Sequence, residues 1–164
     1  MPAFDALEAQ HIARTLAFLN ATDAPFFRDN LSGHLTASAV LLDVDRTQIL
    51  LIWHAKLQRW LQPGGHCEPH DLTLQAAAKR ELLEESGLSD ALCVLDRDAP
   101  FDVDVHPIPA RALEPEHLHY DIRFLFVLSE PVEMAVEACQ WQSLVVVAGM
   151  AAPSLARMAR KLLG

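Results

Sequence analysis

Residues 80–88 read RELLEESGL, and this stretch decides how the rest of the chain is read. Glu81, Glu84 and Glu85 stand at i, i+3 and i+4, so at 3.6 residues per turn a helix carries them on one stripe. Gly87 predicts a C-terminal stop, which puts the stripe in the last turn. Carboxylates there face the negative end of the helix dipole, at roughly 0.3–1 kcal/mol per group. Like charges at this spacing add roughly 0.2–0.5 kcal/mol per pair. A bound divalent cation reverses the sign of all these terms, because hard cations take oxygen ligands. The stripe therefore reads as a metal site, against the plainer reading of a solvated acidic helix end.

Upstream, Asp71 or Thr73 is placed to cap this helix, with Ala76, Ala77, Leu82 and Leu83 as its apolar contacts. Pro63, Gly64 and Gly65 predict a turn before it. The runs at 34–45 and 49–55 predict two long antiparallel strands separated by a polar break. Phe4, Leu7, Ile12, Leu16 and Leu19 approach helical spacing, which predicts an amphipathic helix over 4–20. Downstream, strands are expected at 91–95, 101–106, 117–128 and 141–147. A closing helix at 151–163 is expected to bury Leu155, Met158, Leu162 and Leu163. Strands and helices in this mixed order point to an α+β fold.

The length of 164 residues suits one domain with a real core, and a net charge of -9 argues against a nucleic-acid backbone such as DNA as the main partner. It leaves room for a phosphate-bearing small molecule approached through a metal ion. No stretch reaches the ~20 apolar residues that span a bilayer, and the amino terminus lacks the pattern of a signal peptide. Cys67, Cys93 and Cys139 are widely spaced, so neither a disulfide framework nor structural zinc is expected from them, and a reducing cytoplasm is.

The segment GGHCEPHDLTLQAAAKRELLEESGL, residues 64–88, resembles the Nudix box, G-x5-E-x7-REUxEExGU with U aliphatic. Its second half matches at every defined position: Arg80, Glu81, Leu82, Glu84, Glu85, Gly87 and Leu88. Counting from Gly65, the acidic position holds Asp71 in place of Glu, and eight residues rather than seven separate it from Arg80. One residue is thus inserted before the helix, and Asp71 is left without an assigned role. WLQPGG before the box, the two strands preceding it and the FLFV strand after it are similar to the layout of Nudix domains.

The resemblance implies an α/β/α sandwich, with a mixed, largely antiparallel sheet between helices, over residues 34–164. Residues 1–33 are then an appended helical extension that covers the sheet or mediates a homodimer. It also implies hydrolysis of the diphosphate bond in a nucleoside diphosphate linked to another moiety, with Mg²⁺ or Mn²⁺ as cofactor. Glu81, Glu84 and Glu85 would hold the metal with the Gly65 carbonyl, and either Glu81 or Glu84 would be the base. Glycine suits that place because a missing Cβ lets the backbone approach a ligand. Arg80 points about 100° away from Glu81 around the helix. It is expected to reach Glu84 or an acid across the loop, such as Glu68, and to orient a metal ligand. A nucleotide-binding regulatory module without catalysis is the alternative. An isopentenyl-diphosphate isomerase is a further one, although Cys67 is not placed like that family's cysteine.

Outside the box, alternation puts His117, His119, Asp121 and Arg123 on one face of a strand. That face either lines the cleft, where His119 and Asp121 would touch substrate or a further metal, or is a solvated sheet face with an Asp–Arg or Asp–His pair. His66 and His70 either join the group or are ordinary loop polarity. Glu137 is the candidate for a later carboxylate that completes the site. Trp53, Trp60 and Trp141 either stack on a base or belong to the core.

Overall fold

The computed structural model describes residues 2–110 and 115–164. In chain order the elements are α1 (Ala6–Ala21), β1 (Gly33–Leu42), β2 (Gln48–His54), β3 (Arg59–Leu61), β4 (Gly64–His66), α2 (Leu74–Ser86), β5 (Cys93–Leu95), β6 (Asp102–Ile108), β7 (His117–Leu128), β8 (Cys139–Ser143), α3 (Leu144–Ala148) and α4 (Pro153–Leu163). All eight strands join one sheet with a main path β3-β2-β1-β7-β5, while β4 pairs with β1, β6 with β7 and β8 with β2. The β1–β7 pair is parallel, and the others are antiparallel. None of the described helices is long and apolar enough to cross a membrane.

Period-two alternation divides the core. Leu35, Ala37, Ala39 and Leu41 of β1 meet Ile122, Phe124 and Phe126 of β7 beneath Ala77, Ala78 and Leu82 of α2. The intervening residues Val40, Leu42 and Leu125 face the other way and pack with Leu144, Val147, Leu155 and Met158 of α3 and α4. Helices therefore lie on both faces of the sheet, as expected for an α+β sandwich. Every residue of β1 is buried, because both of its faces are covered.

The structure corrects several local expectations. Glycines 64 and 65 are not a free turn; they form β4, paired with Ser38 and Ala37 of β1. The expected strand over 141–147 ends at Ser143, and its Leu-Val-Val-Val run continues as α3. A helical i, i+3 spacing there buries both Leu144 and Val147, whereas a strand would turn them to opposite faces. In α2 the sheet-facing alanines are Ala77 and Ala78, and Ala76 is exposed. In α4 Arg157 is buried and Leu163 is half exposed.

The largest correction concerns α1. The helix forms where expected, yet it buries Glu8, His11, Thr15 and Phe18 and leaves Leu7, Leu16 and Leu19 exposed. Buried partners account for the inversion. Lys161 donates to Glu8 at 2.5 Å, His11 lies 3.2 Å from Asp104, and the Phe18 ring stacks on Tyr120 with centroids 4.1 Å apart.

Candidate active site

Helix α2 starts where Thr73 accepts a hydrogen bond from the Ala76 amide, so of the two candidate caps Thr73 is the one used. It stops at Gly87, which adopts φ 69° and donates to the Leu83 carbonyl. Between these ends the helix lies against β4. The Gly64 amide donates to Glu85 Oε2 at 3.1 Å. A Cβ on Gly65 would fall 2.5 Å from Glu81 Oε1, so any other residue here would push that carboxylate aside. Burial pushes both carboxyls up, Glu85 to about 6. Glu84 is different: 60 % of its side chain is exposed. Glu81 and Glu85 thus sit on the glycine strand while Glu84 stands at the rim.

Arg80 ties this arrangement to the preceding loop. Its guanidinium donates to both Asp71 oxygens, at 3.2 and 3.0 Å, to the His66 carbonyl at 2.8 Å, to Glu81 at 2.9 Å and to Glu84 at 3.2 Å. The Glu84 contact is as expected. The acid across the loop is Asp71 rather than Glu68, because a turn in which the Asp71 amide donates to the Glu68 carbonyl swings Asp71 towards the helix. The Glu81 contact also departs from the 100° argument: the long side chain folds back over its own helix. Hydrogen bonding from Arg80 holds Asp71 below the usual carboxylate range. Despite the inserted residue, Asp71 anchors the box.

The polar stripe expected on β7 exists, and the strand register extends it across the sheet. His34, Thr36 and Ser38 of β1 lie beside His119, Asp121 and Arg123, while His106, Asp104 and Asp102 of β6 lie on the other side. The stripe is not a solvated face. Arg123 bonds Asp121 at 2.8 Å, Asp102 at 3.0 Å and Asp104 at 3.2 Å, and Arg157 of α4 adds bonds to Asp102 and Asp104. Asp121 also accepts from Thr36, Ser38 and Gln62. It is 2 % exposed, so it orients the floor of the cleft rather than facing a ligand.

The histidine end of the stripe opens into a cavity of about 790 Å³. His34, His66, His106, His117 and His119 line it, along with Arg28, Lys56 and Arg59. Burial and then the neighbouring imidazoles bring His119 down to about 2, and burial with Arg28 and His117 brings His66 to about 4. Both rings are neutral at physiological pH. His66 therefore joins the group, whereas His70 is exposed and pairs with Glu68.

The other candidates do not line the histidine cavity. Trp53 and Trp60 meet edge to face, and Trp60 and Trp141 pack against the two cores. Glu137 is exposed on the loop between β7 and β8, which passes the end of α2 where Val136 lies beside Gly87. Burial, with Asp71 nearby, pushes the Cys67 thiol up to about 11, which suits neither a nucleophile nor an isomerase acid–base group. Phe26 and Phe27, which sequence patterning did not single out, wall a second cavity of about 470 Å³ with Cys67, Asp71 and Leu72. Their only sequence signal is an adjacent aromatic pair in a loop.

A mixed sheet between helices, with an acidic helix end laid on a glycine strand, is the arrangement expected of the family that the 64–88 motif resembles. The sequence profile of the NUDIX domain matches residues 33–162, and the chain belongs to the Nudix family. Members of this family typically work with divalent metal ions. Among solved structures the chain is similar to an Ap4A hydrolase of C. elegans, with 18 % identity, a TM-score of 0.56, and 79 % of this chain and 98 % of that one covered. It is also similar to the E. coli dihydroneopterin triphosphate pyrophosphohydrolase, at 14 % identity and a TM-score of 0.58, covering 77 % of this chain and 92 % of that one. A NUDIX-family hydrolase from Clostridium perfringens aligns at 19 % identity and a TM-score of 0.55, covering 79 % and 95 %. These identities establish the shared fold. A comparison with curated protein sequences yields no significant match.

Proposed function

We propose that the protein hydrolyses the diphosphate bond of a nucleoside diphosphate linked to a second moiety, in the presence of Mg²⁺ or Mn²⁺. The observation that carries this reading is the pair of half-buried carboxylates, Glu81 and Glu85, laid against the Gly64–Gly65 strand. Their oxygens suit a hard divalent cation, and their burial makes an uncompensated charge costly. Glu81, Glu84 and Glu85 would hold the ion, with the Gly65 carbonyl as a further oxygen ligand. A divalent cation bound there supplies positive charge to the anhydride oxygens.

The protein's own groups do the rest. A water oxygen attacks one phosphorus, the bridging P–O bond breaks, and the leaving phosphate carries away the electron pair. A carboxylate takes the water's proton. Of the two candidates, Glu81 is favoured as base because it lies inside the site, whereas Glu84 stands at the solvent edge. Arg80 positions both carboxylates and, through Asp71 and the His66 carbonyl, fixes the loop to the helix. Arg28, Lys56 and Arg59 give the larger cavity a cationic lining, which suits a polyanionic substrate despite the acidic chain. Phe27, 66 % exposed, offers a surface on which a base would stack. Glu137 remains the candidate for a further carboxylate, and residues 1–33 are an extension of the hydrolase domain.

The deciding experiment incubates the full chain with a panel of nucleoside triphosphates, nucleotide sugars, dinucleoside polyphosphates and dinucleotide cofactors, with Mg²⁺ or Mn²⁺, and reads the products by mass. The expected result is metal-dependent release of a nucleoside monophosphate or pyrophosphate from one class. A nucleotide that raises the melting temperature yet stays intact over hours would identify a binding module instead. Gly65→Ala provides an internal check. Its Cβ meets the Glu81 carboxylate, so turnover is expected to fall about 100-fold or more, while circular dichroism reports an intact fold.

A further inference from the structure

We propose that His34, His117 and His119 form a binding site for a divalent transition-metal ion, zinc foremost, on the cavity floor and distinct from the glutamate helix. Their ligand nitrogens lie within 4.8 Å of one another, the one place among the described residues where three such side-chain donors come so close. The strand register creates the cluster: His34 of β1 lies directly beside His119 of β7, and His117 is two residues back on the same face. Ring centroids are 4.8 Å apart for His34–His119, 5.1 Å for His34–His117 and 5.3 Å for His117–His119. Zinc–nitrogen bonds of about 2.0–2.1 Å put tetrahedral nitrogens about 3.4 Å apart, so small ring rotations close the trio. His117, the first residue of β7, is only partly buried.

Two further observations point to a ligand rather than to simple polar packing. His117 Nδ1 lies 2.9 Å from the Pro115 carbonyl oxygen, which can only accept. Nδ1 therefore carries the hydrogen, and Nε2 keeps its lone pair for a ligand. A backbone carbonyl behind a histidine is the usual outer support of a metal-bound ring. His119 Nε2 is buried with no hydrogen-bond partner among the described residues, which is costly unless something else engages it. The same stripe is filled at Thr36 and Ser38 by small hydroxyls bonded to Asp121, so the sheet face itself does not call for imidazole.

Imidazole nitrogens suit zinc, cobalt and nickel, whereas the carboxylates of α2 suit magnesium and manganese. Three protein ligands would leave a fourth position for a water or a substrate oxygen, and all three imidazoles line the cavity. The inference does not depend on the anhydride-hydrolysis reading, because its donors are separate from the glutamates.

The test uses the full chain, stripped with EDTA and titrated with Co²⁺ and then Zn²⁺ in excess Mg²⁺, so that oxygen sites are already filled. The expected result is the intense visible absorption of four-coordinate cobalt, removed by zinc. His117→Gln, at a strand end, is expected to weaken zinc binding about tenfold or more, while Glu85→Gln leaves it unchanged. The absence of the cobalt band overturns the proposal. So does zinc binding that survives in His117→Gln or is lost in Glu85→Gln. Pyrophosphate binding by the stripped protein that His117→Gln abolishes, without any zinc binding, would make the cluster an anion site and equally overturn it.

Discussion

Glu81→Gln is expected to lower turnover by about 10²–10⁴-fold with the fold intact. The amide keeps the size of the side chain, and its oxygen still accepts from Arg80, which reaches Glu81 at 2.9 Å. What is lost is the proton acceptor and a negative charge that burial already disfavours. Stability without metal is therefore expected to stay level or rise slightly, since like-charge repulsion with Glu84 also disappears. Single-turnover kinetics and thermal melts on one preparation separate the two effects. Glu84→Gln is the informative comparison. If Glu84 serves as a ligand at the rim, its activity loss is partly recovered by raising Mg²⁺, whereas that of Glu81→Gln is not. Wild-type turnover in either variant on a confirmed substrate would remove the glutamates from the mechanism.

Asp102→Asn is expected to cost about 3–5 kcal/mol of stability, the largest effect of any single substitution considered. Asp102 is fully buried and accepts from Arg123 at 3.0 Å and from Arg157 at 3.0 and 2.8 Å. The amide removes a carboxylate that accepts from both guanidiniums, and its NH2 group opposes their N–H donors in a site buried from solvent. Urea unfolding monitored by tryptophan fluorescence measures the loss, and a change under about 1 kcal/mol would mean the cluster is not a linked unit. The neighbouring Asp104 adds an acid sensitivity. Burial alone would raise its carboxyl, but the His106 hydrogen bond and the guanidiniums of Arg123 and Arg157 outweigh burial and hold it well below the usual range. A depressed carboxyl contributes stability that is present above its unfolded value, near 4, and lost as pH falls below it. The urea midpoint is accordingly expected to hold from neutral pH down to about 5 and to drop steeply below about 4.

The cluster also gives the cleft its floor. Asp121 is bonded to Arg123 beneath it and to Thr36, Ser38 and Gln62 around it. Rigid charged packing there fixes β1 against β7, and with them the β4 strand on which the glutamates rest. Loss of Asp102 is therefore expected to damage activity as well as stability.

The amphipathic period was least informative in α1, where apolar residues suggested one buried face and the structure buries another. Periodicity reports where apolar side chains recur, but Glu8 and His11 are buried because Lys161 and Asp104, far along the chain, await them. The same blindness hid the bond between Asp71 and Arg80. An inserted residue broke the motif's spacing, and only the turn at Glu68–Asp71 restores the contact. The run that forms α3 has the composition of a strand because β-branched residues favour extended backbone, while tertiary burial of Leu144 and Val147 outweighs that preference.

By itself the sequence determined the parts whose physics is local. The glutamate stripe, its glycine stop and the alternating face of β7 all follow from 3.6-residue and two-residue periods, and the structure places each where those periods put it. Tertiary structure decided everything that depends on which strands become neighbours. The parallel β1–β7 register brings His34 to His119 across 85 residues of chain, and the β6–β7 register closes three aspartates around Arg123. No period along the chain encodes such a meeting, because it comes from hydrogen bonds between strands that only the folded sheet brings together. The charge that looks out of place at the end of α2 was legible from nine residues; the stripe of imidazoles and buried ions beside it needed the whole sheet.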